Sequence, residues 1–173
     1  MLDKTDKPTH QERLKGKSHL PGKTENVPTK EPEVEGVEAS CAAFGYLRGI
    51  QDQAPAMEFR LRDGKTIGFP YAWLGTWQYD PSEGLLLKFS GDIVYLVLIH
   101  GSNLDQPLNG GPINLTQAGL QRHRVLWLRE MSEEDIRQVG ETGPTIDSIK
   151  IAAFESQKDL KEWLETTAPL FIL

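Results

Sequence analysis

Few side chains in this 173-residue chain are of a type and at a spacing that could do chemistry. Gly22-Lys23-Thr24 matches the end of a phosphate-binding loop, but the motif needs a glycine where Lys17 stands. It also needs a strand before it and a helix after it. His100 and His123 stand far from the N-terminal pair His10 and His19, and neither has Cys or His neighbours at ligand spacing, so no zinc site and no other metal site is expected. Cys41 has no nearby histidine to draw off its proton and sits in an apolar run, where an inert buried thiol is the ordinary case. Ser82 lies in Asp80-Pro81-Ser82-Glu83-Gly84, not in the strand-to-helix elbow that exposes a nucleophilic serine. Asn114-Leu115-Thr116 has the spacing of a glycosylation acceptor, with no signal peptide expected before it. No catalytic residue and no cofactor is expected, and the chain reads as a non-enzyme. One basic spot remains in the folded part: Arg122, His123 and Arg124 with Arg129. These could contact phosphate, or pair with Glu130, Glu133 and Glu134 close by.

The elements that would position these residues are mostly strands. Met57, Phe59 and Leu61 alternate with Glu58, Arg60 and Arg62, which marks a strand with one wet face. Asp63-Gly64 is a hairpin turn, and the strand resumes over Thr66–Phe69, with Gly68 marking a bulge or bend. Trp73–Tyr79, Leu85–Phe89 and Ile93–His100 follow as further strands. Ile93–Ile99 is apolar at every position, which suits a central strand covered on both faces. The aromatics Tyr71, Trp73, Trp77 and Tyr79 fall on one face of a strand and are expected to pack in the core. Glu38–Ile50 places Ala39, Ala43, Leu47 and Ile50 at helical spacing and predicts a short helix.

Further on, Asn114 caps a short helix around Leu115–Gln121, and Val125–Leu128 is a strand. Ser132 followed by Glu133, Glu134 and Asp135 starts a helix that stops by Gly140. Ile149, Ile151 and Ala153 suggest one more strand, after which Ser156 caps a helix with Leu160, Trp163 and Leu164 on one face. The apolar end, Pro169–Leu173, is expected to fold back onto its own domain, the alternative being docking onto a neighbouring subunit.

Composition bounds the partners. Residues 1–36 carry seven Lys/Arg and seven Asp/Glu and almost no large apolar side chains, so a disordered tail is expected there. The net charge of −6 therefore belongs to the remainder, and an acidic body disfavours non-specific nucleic-acid binding. A single cysteine excludes an intramolecular disulfide and fits a reduced, cytoplasmic setting. The seven-residue apolar run is far short of the ~20 residues that span a bilayer, so no membrane is expected.

Leu61-Arg62-Asp63-Gly64, preceded by alternating apolar residues and followed by Gly68, resembles the first motif of the Sm/LSm family of small RNA-associated barrels. Leu98-Ile99-His100-Gly101-Ser102-Asn103-Leu104 is similar to its second motif, and the helix expected beforehand matches the family's N-terminal helix. The resemblance covers about 50–65 residues. It implies RNA association in a ring, with His100 and Asn103 beside the RNA. The fold class expected is α+β, mostly β: a disordered tail over 1–36, a small antiparallel Sm/SH3-like barrel over 37–130 with its N-terminal helix, and a helix–strand–helix appendage over 131–173 packed on it. The expected function is a binding or assembly module whose partner is another protein or a second copy, the alternatives being Sm-like RNA binding and, after it, an enzyme of unknown reaction.

Overall fold

The computed structural model of the chain describes residues 38–49, 51–108, 111 and 113–172, all within the unit Glu33–Leu173. The expected tail over 1–36, with Gly22-Lys23-Thr24, lies outside the described residues. The strands are β1 (Glu38–Ser40), β2 (Phe44–Leu47), β3 (Ala56–Arg60), β4 (Thr66–Pro70), β5 (Leu74–Asp80), β6 (Gly84–Ser90), β7 (Val94–His100), β8 (Val125–Arg129) and β9 (Ser148–Phe154). The helices are α1 (Glu133–Val139) and α2 (Gln157–Thr167), with short helical turns at Tyr71–Trp73, Leu115–Leu120 and Pro169–Phe171. The chain is thus a mixed α+β protein built mostly of strands. These lie in two open sheets, ordered β1-β2-β8-β3-β4 and β5-β6-β7-β9, and no closed barrel forms among the described residues.

The period-two pattern of β3 is realised: Met57 and Phe59 are buried while Glu58 is exposed. Gly64 adopts φ 87° in the hairpin turn, where a side chain would be strained. The β3–β4 register runs unbroken, with Glu58 opposite Gly68, so Gly68 marks no bulge. Register shifts occur instead between Gly45 and Tyr46 and between Leu74 and Trp77. That second shift, together with the helical turn at Tyr71–Trp73, breaks the expected aromatic stripe. Tyr71 is buried with its hydroxyl donating to the Val125 carbonyl, whereas Trp73 is exposed.

The helix expected over Glu38–Ile50 is not formed; β1 and β2 occupy this segment. Pairing with β8 buries Phe44 and Tyr46, which do not lie on the helical stripe at all. That burial outweighs a weak 3.6-residue pattern already interrupted by Gly45 and Gly49, each costing a helix about 1 kcal/mol. Cys41 closes the turn between the strands, its backbone N–H donating to the Phe44 carbonyl at 2.9 Å.

An aromatic joint locks the sheets together. Phe69 of the first sheet stacks on Phe89 of the second at 4.6 Å between centroids, and Phe59 meets Phe89 edge-on at 6.0 Å. Around them Met57, Leu85, Leu87, Val97, Ile99 and Leu128 form the main core. The other face of the second sheet is covered too. Leu86, Leu96, Leu98 and Phe154 pack against Leu160, Trp163 and Leu164 of α2, and Phe171 enters the same cluster. The apolar end therefore docks through Phe171, leaving Leu170 and Ile172 57% and 43% exposed. Strand β7 lies between β6 and β9, so the expected central, doubly covered strand is present.

Residues beyond 130, expected as an appendage, supply β9, which pairs with β7 from His100↔Ser148 to Val94↔Phe154. Their helix starts are as expected. Ser132 and Asp135 form a reciprocal capping box on α1, and Ser156 accepts from the Asp159 N–H at the start of α2. Asn114 accepts from the Gln117 and Ala118 N–H groups at the head of the turn Leu115–Leu120.

Val97 is fully buried at the centre of β7. Val97→Asp puts an unpaired carboxylate among carbon atoms, which costs several kcal/mol beyond the lost packing. The expected outcome is insoluble or unfolded protein by circular dichroism; a folded variant would mean that β7 is not the centre of the sheet.

Candidate binding surface

The outward face of the first sheet has no helix laid across it among the described residues, unlike the outward face of the second. Its most structured feature is Trp127 on β8. Gly45 stands opposite it on β2, and a Cβ there would collide with the indole Nε1 and its neighbouring carbons. Glycine therefore lets the ring lie flat across the neighbouring strand. On the other side β3 runs parallel to β8, bringing Glu58 opposite Trp127 and Arg60 opposite Arg129.

The Arg60 guanidinium carbon stands 4.5 Å from the Trp127 ring centroid, a cation–π contact worth roughly 0.5–1 kcal/mol at an exposed site. Glu58 holds the same guanidinium from below, Oε2 lying 3.0 Å from Nη2. Trp127 Nε1 donates to Glu38 Oε1 at 3.2 Å across β2. The outcome is a row, Glu38–Trp127–Arg60–Glu58, in which an aromatic face and a cation are held in fixed places by carboxylates at either end.

The residues singled out by the sequence are placed differently. His100 ends β7 and Asn103 follows three residues later, and each has one side-chain nitrogen engaged with backbone. The Glu83 carbonyl accepts at 2.9 Å from His100 Nδ1, and Asn103 Nδ2 donates to the carbonyls of Glu141 and Gly143. Asn103 takes φ 58°, a turn role. The basic set does not converge. Arg122 is exposed, the His123 ring stacks on Tyr71 at 4.6 Å, and Arg124 is buried with Nε donating to the Leu47 carbonyl. Arg129 lies five residues on, about 16 Å along an extended chain. There it donates to the Ala42 carbonyl and faces Asp135 at 3.5 Å. Arg124 Nη2 and Asp52 Oδ2 are buried without a hydrogen-bond partner among the described residues. Burial and the neighbouring Arg122 pull the Arg124 guanidinium down, while Asp52 acts in the opposite sense.

No catalytic arrangement emerges among these groups. Burial pushes the Cys41 thiol up, leaving the unreactive protonated form at neutral pH. Ser82 Oγ is spent on Asp80 Oδ1 at 2.6 Å, a bond that keeps the Asp80 carboxyl below its usual range. Among the described residues no group of three or more His, Cys, Asp or Glu side chains is placed to hold a metal ion. No described helix is long and apolar enough to cross a membrane. No protein-family model, curated protein or solved structure matches the chain.

Sequence reasoning missed the Trp127 row because its members come from β1, β3 and β8, and the parallel β3–β8 pairing spans a long crossover. The available signal was local: Glu58 and Arg60 on the wet face of one strand, and an indole within a second.

Two outcomes check this geometry. Gly45→Ala should displace the indole, shift Trp127 fluorescence to the red and cost about 1–3 kcal/mol in urea unfolding, the usual scale of overpacking. Unchanged emission and stability would mean that the ring does not lie over β2. On the rim of the main core, burial and the hydrogen bond to Asp105 raise Tyr79 to about 12. A proton held above the ordinary value near 10 gives a stabilising contribution that is complete below about pH 10 and fades as pH rises through 12. Absorbance at 295 nm should therefore show late titration that Tyr79→Phe reduces by one phenol, the rest belonging to Tyr71, which burial pushes up further; an unaltered titration curve would remove the Asp105 bond.

Proposed function

We propose that this protein is a non-enzymatic binding or assembly module that takes a protein partner on the outward face of its first sheet. The observation that carries this reading is the Glu38–Trp127–Arg60–Glu58 row. Tryptophan and arginine are the side chains most often found at the energetic centre of protein interfaces, and they act best when held in place before the partner arrives. Here Gly45, Glu38 and Glu58 do the holding. The partner that fits carries an apolar or aromatic side chain to lie on the indole, beside a carboxylate for Arg60.

The second reading is the Sm-like one, a small barrel associating with RNA. An indole beside a guanidinium can also stack a base, which is the one observation in its favour. Glu38 and Glu58 flank that platform and would repel a phosphate backbone, and His100 and Asn103 each spend a side-chain nitrogen on backbone carbonyls. Protein recognition is the better fit.

The test compares the unmodified protein with Trp127→Ala at matched folding by circular dichroism. Any partner captured by the unmodified protein should be titrated against both. About 30-fold weaker binding by the variant is expected, the scale of a central anchor of ~2 kcal/mol. Equal affinity would remove the surface assignment. Salt-sensitive binding of a single-stranded RNA at low ionic strength, with nucleic acid in the purified sample, would replace it with the RNA reading.

A further inference from the structure

The two sheets have four edges, and three are blunted in ways that oppose strand addition. Strand β1 is three residues long, β4 ends in Pro70, and β5 carries a register shift between Leu74 and Trp77. Strand β9 has none of these protections. It is seven residues long, pairs with β7 in unbroken register, contains no proline and carries one charged side chain, Lys150.

The direction of its free groups is fixed by one bond. The Ile149 N–H donates to Glu130 Oε1 at 2.6 Å, so it points away from β7. Backbone direction alternates along a strand, and Ile151 and Ala153 therefore turn their N–H and C=O groups to the same open side. Among the described residues no hydrogen bond reaches these groups. Ala153 is exposed, as is Lys150.

We infer that this edge pairs with the same edge of a second copy of the chain, antiparallel, with Ile151 opposite itself on a two-fold axis. In that register Ile149 faces Ala153 and Lys150 faces Ala152, so apart from the central Ile151 pair each of these large side chains meets a small one. The alternatives that keep the free groups in phase lie two residues away. One sets Lys150 against Lys150, a like-charge pair that destabilises a ladder; the other sets Lys150 against Phe154, large against large. The chosen register gives a reciprocal pair of bonds between the two Ile151 residues. It also gives one bond from each Ala153 N–H to the facing Ile149 carbonyl. The ladder stops there, because Glu130 already holds the Ile149 N–H. This self-pairing deepens the assembly reading above and uses a different part of the molecule from the Trp127 row.

The test uses the full chain. Light scattering from about 1 to about 200 µM should show the mass rising from 19.4 kDa toward twice that value. Ala153→Pro removes an outward N–H from an edge position where proline is tolerated, and it should remain a monomer at every concentration. Amide exchange on the unmodified protein keeps the test independent of that variant's folding: Ile151 and Ala153 should gain protection at high concentration. Rapid exchange at both amides at the top of the range overturns the inference, as does a dimer that Ala153→Pro leaves intact. A strict monomer whose partner binding still depends on Trp127 overturns the self-pairing alone and leaves the binding module standing.

Discussion

The need to bury β7 on both faces governs this fold. Val97 and Ile99 face the main core, Leu96 and Leu98 face the other way, and all four are buried. At roughly 1.5–3 kcal/mol per fully buried aliphatic side chain, exposing either face would remove several kcal/mol from a marginal balance. One face is closed by the first sheet, through Phe59, Phe69 and Met57. The other must be closed by something else, and α2 with the turn Pro169–Phe171 does so. The asymmetry of the molecule follows from this. Among the described residues the second sheet is covered twice and the first once, and so the outward face of the first sheet is where polar and aromatic groups can be displayed.

A second constraint sits at one end of the sandwich. The Glu130 carboxylate accepts the Arg62 N–H with one oxygen and the Ile149 N–H with the other, both at 2.6 Å. Arg62 and Ile149 follow β3 and lie within β9, so one side chain joins the first sheet to the second. Arg62 returns the link, its guanidinium donating to the carbonyls of Met131 and Asp147. Hydrogen bonds to charged groups contribute about 1.5–3 kcal/mol against roughly 1 for neutral ones. A carboxylate bridging two backbone N–H groups thus fixes the phase of β9 as well as its position, which determines which of its backbone groups face outward.

Much of this could be read from the chain in advance, and the boundary has a physical cause. Strands with a strict period of two, such as Met57–Leu61, and helix starts with acidic first turns, such as Ser132–Asp135, are specified by neighbours in sequence. The helical spacing over Glu38–Ile50 misleads because the conformation of β1 and β2 is set by β8, some eighty residues away: Phe44 is opposite Leu128 and Gly45 opposite Trp127. The closed barrel expected from the Leu61–Gly64 and Leu98–Leu104 motifs rested on turns that are locally present. The sheets nevertheless stay open, because β8 inserts between β2 and β3 and carries strand order in a direction no short motif encodes. The expected basic patch fails for a related reason: adjacency in sequence put Arg122, His123 and Arg124 together, and a turn at φ 53° on His123 sends them to different tasks.

The same contrast bears on how a binding surface is recognised from side chains alone. His100, Asn103 and Arg124 are the polar side chains that sequence reasoning favours, and each spends a donor on a backbone carbonyl that holds a turn or a neighbouring strand. A donor bound in this way cannot turn to a ligand without leaving that carbonyl unpaired, at a cost of about 1–3 kcal/mol where it is buried. Trp127 and Arg60 are also held, but by each other's faces and by exposed carboxylates that water can replace. An incoming group can therefore share or displace those contacts at small cost, while Gly45 keeps the indole where it is. Availability after folding, and not chemical reactivity in the sequence, is what separates the Trp127 row from the residues around it.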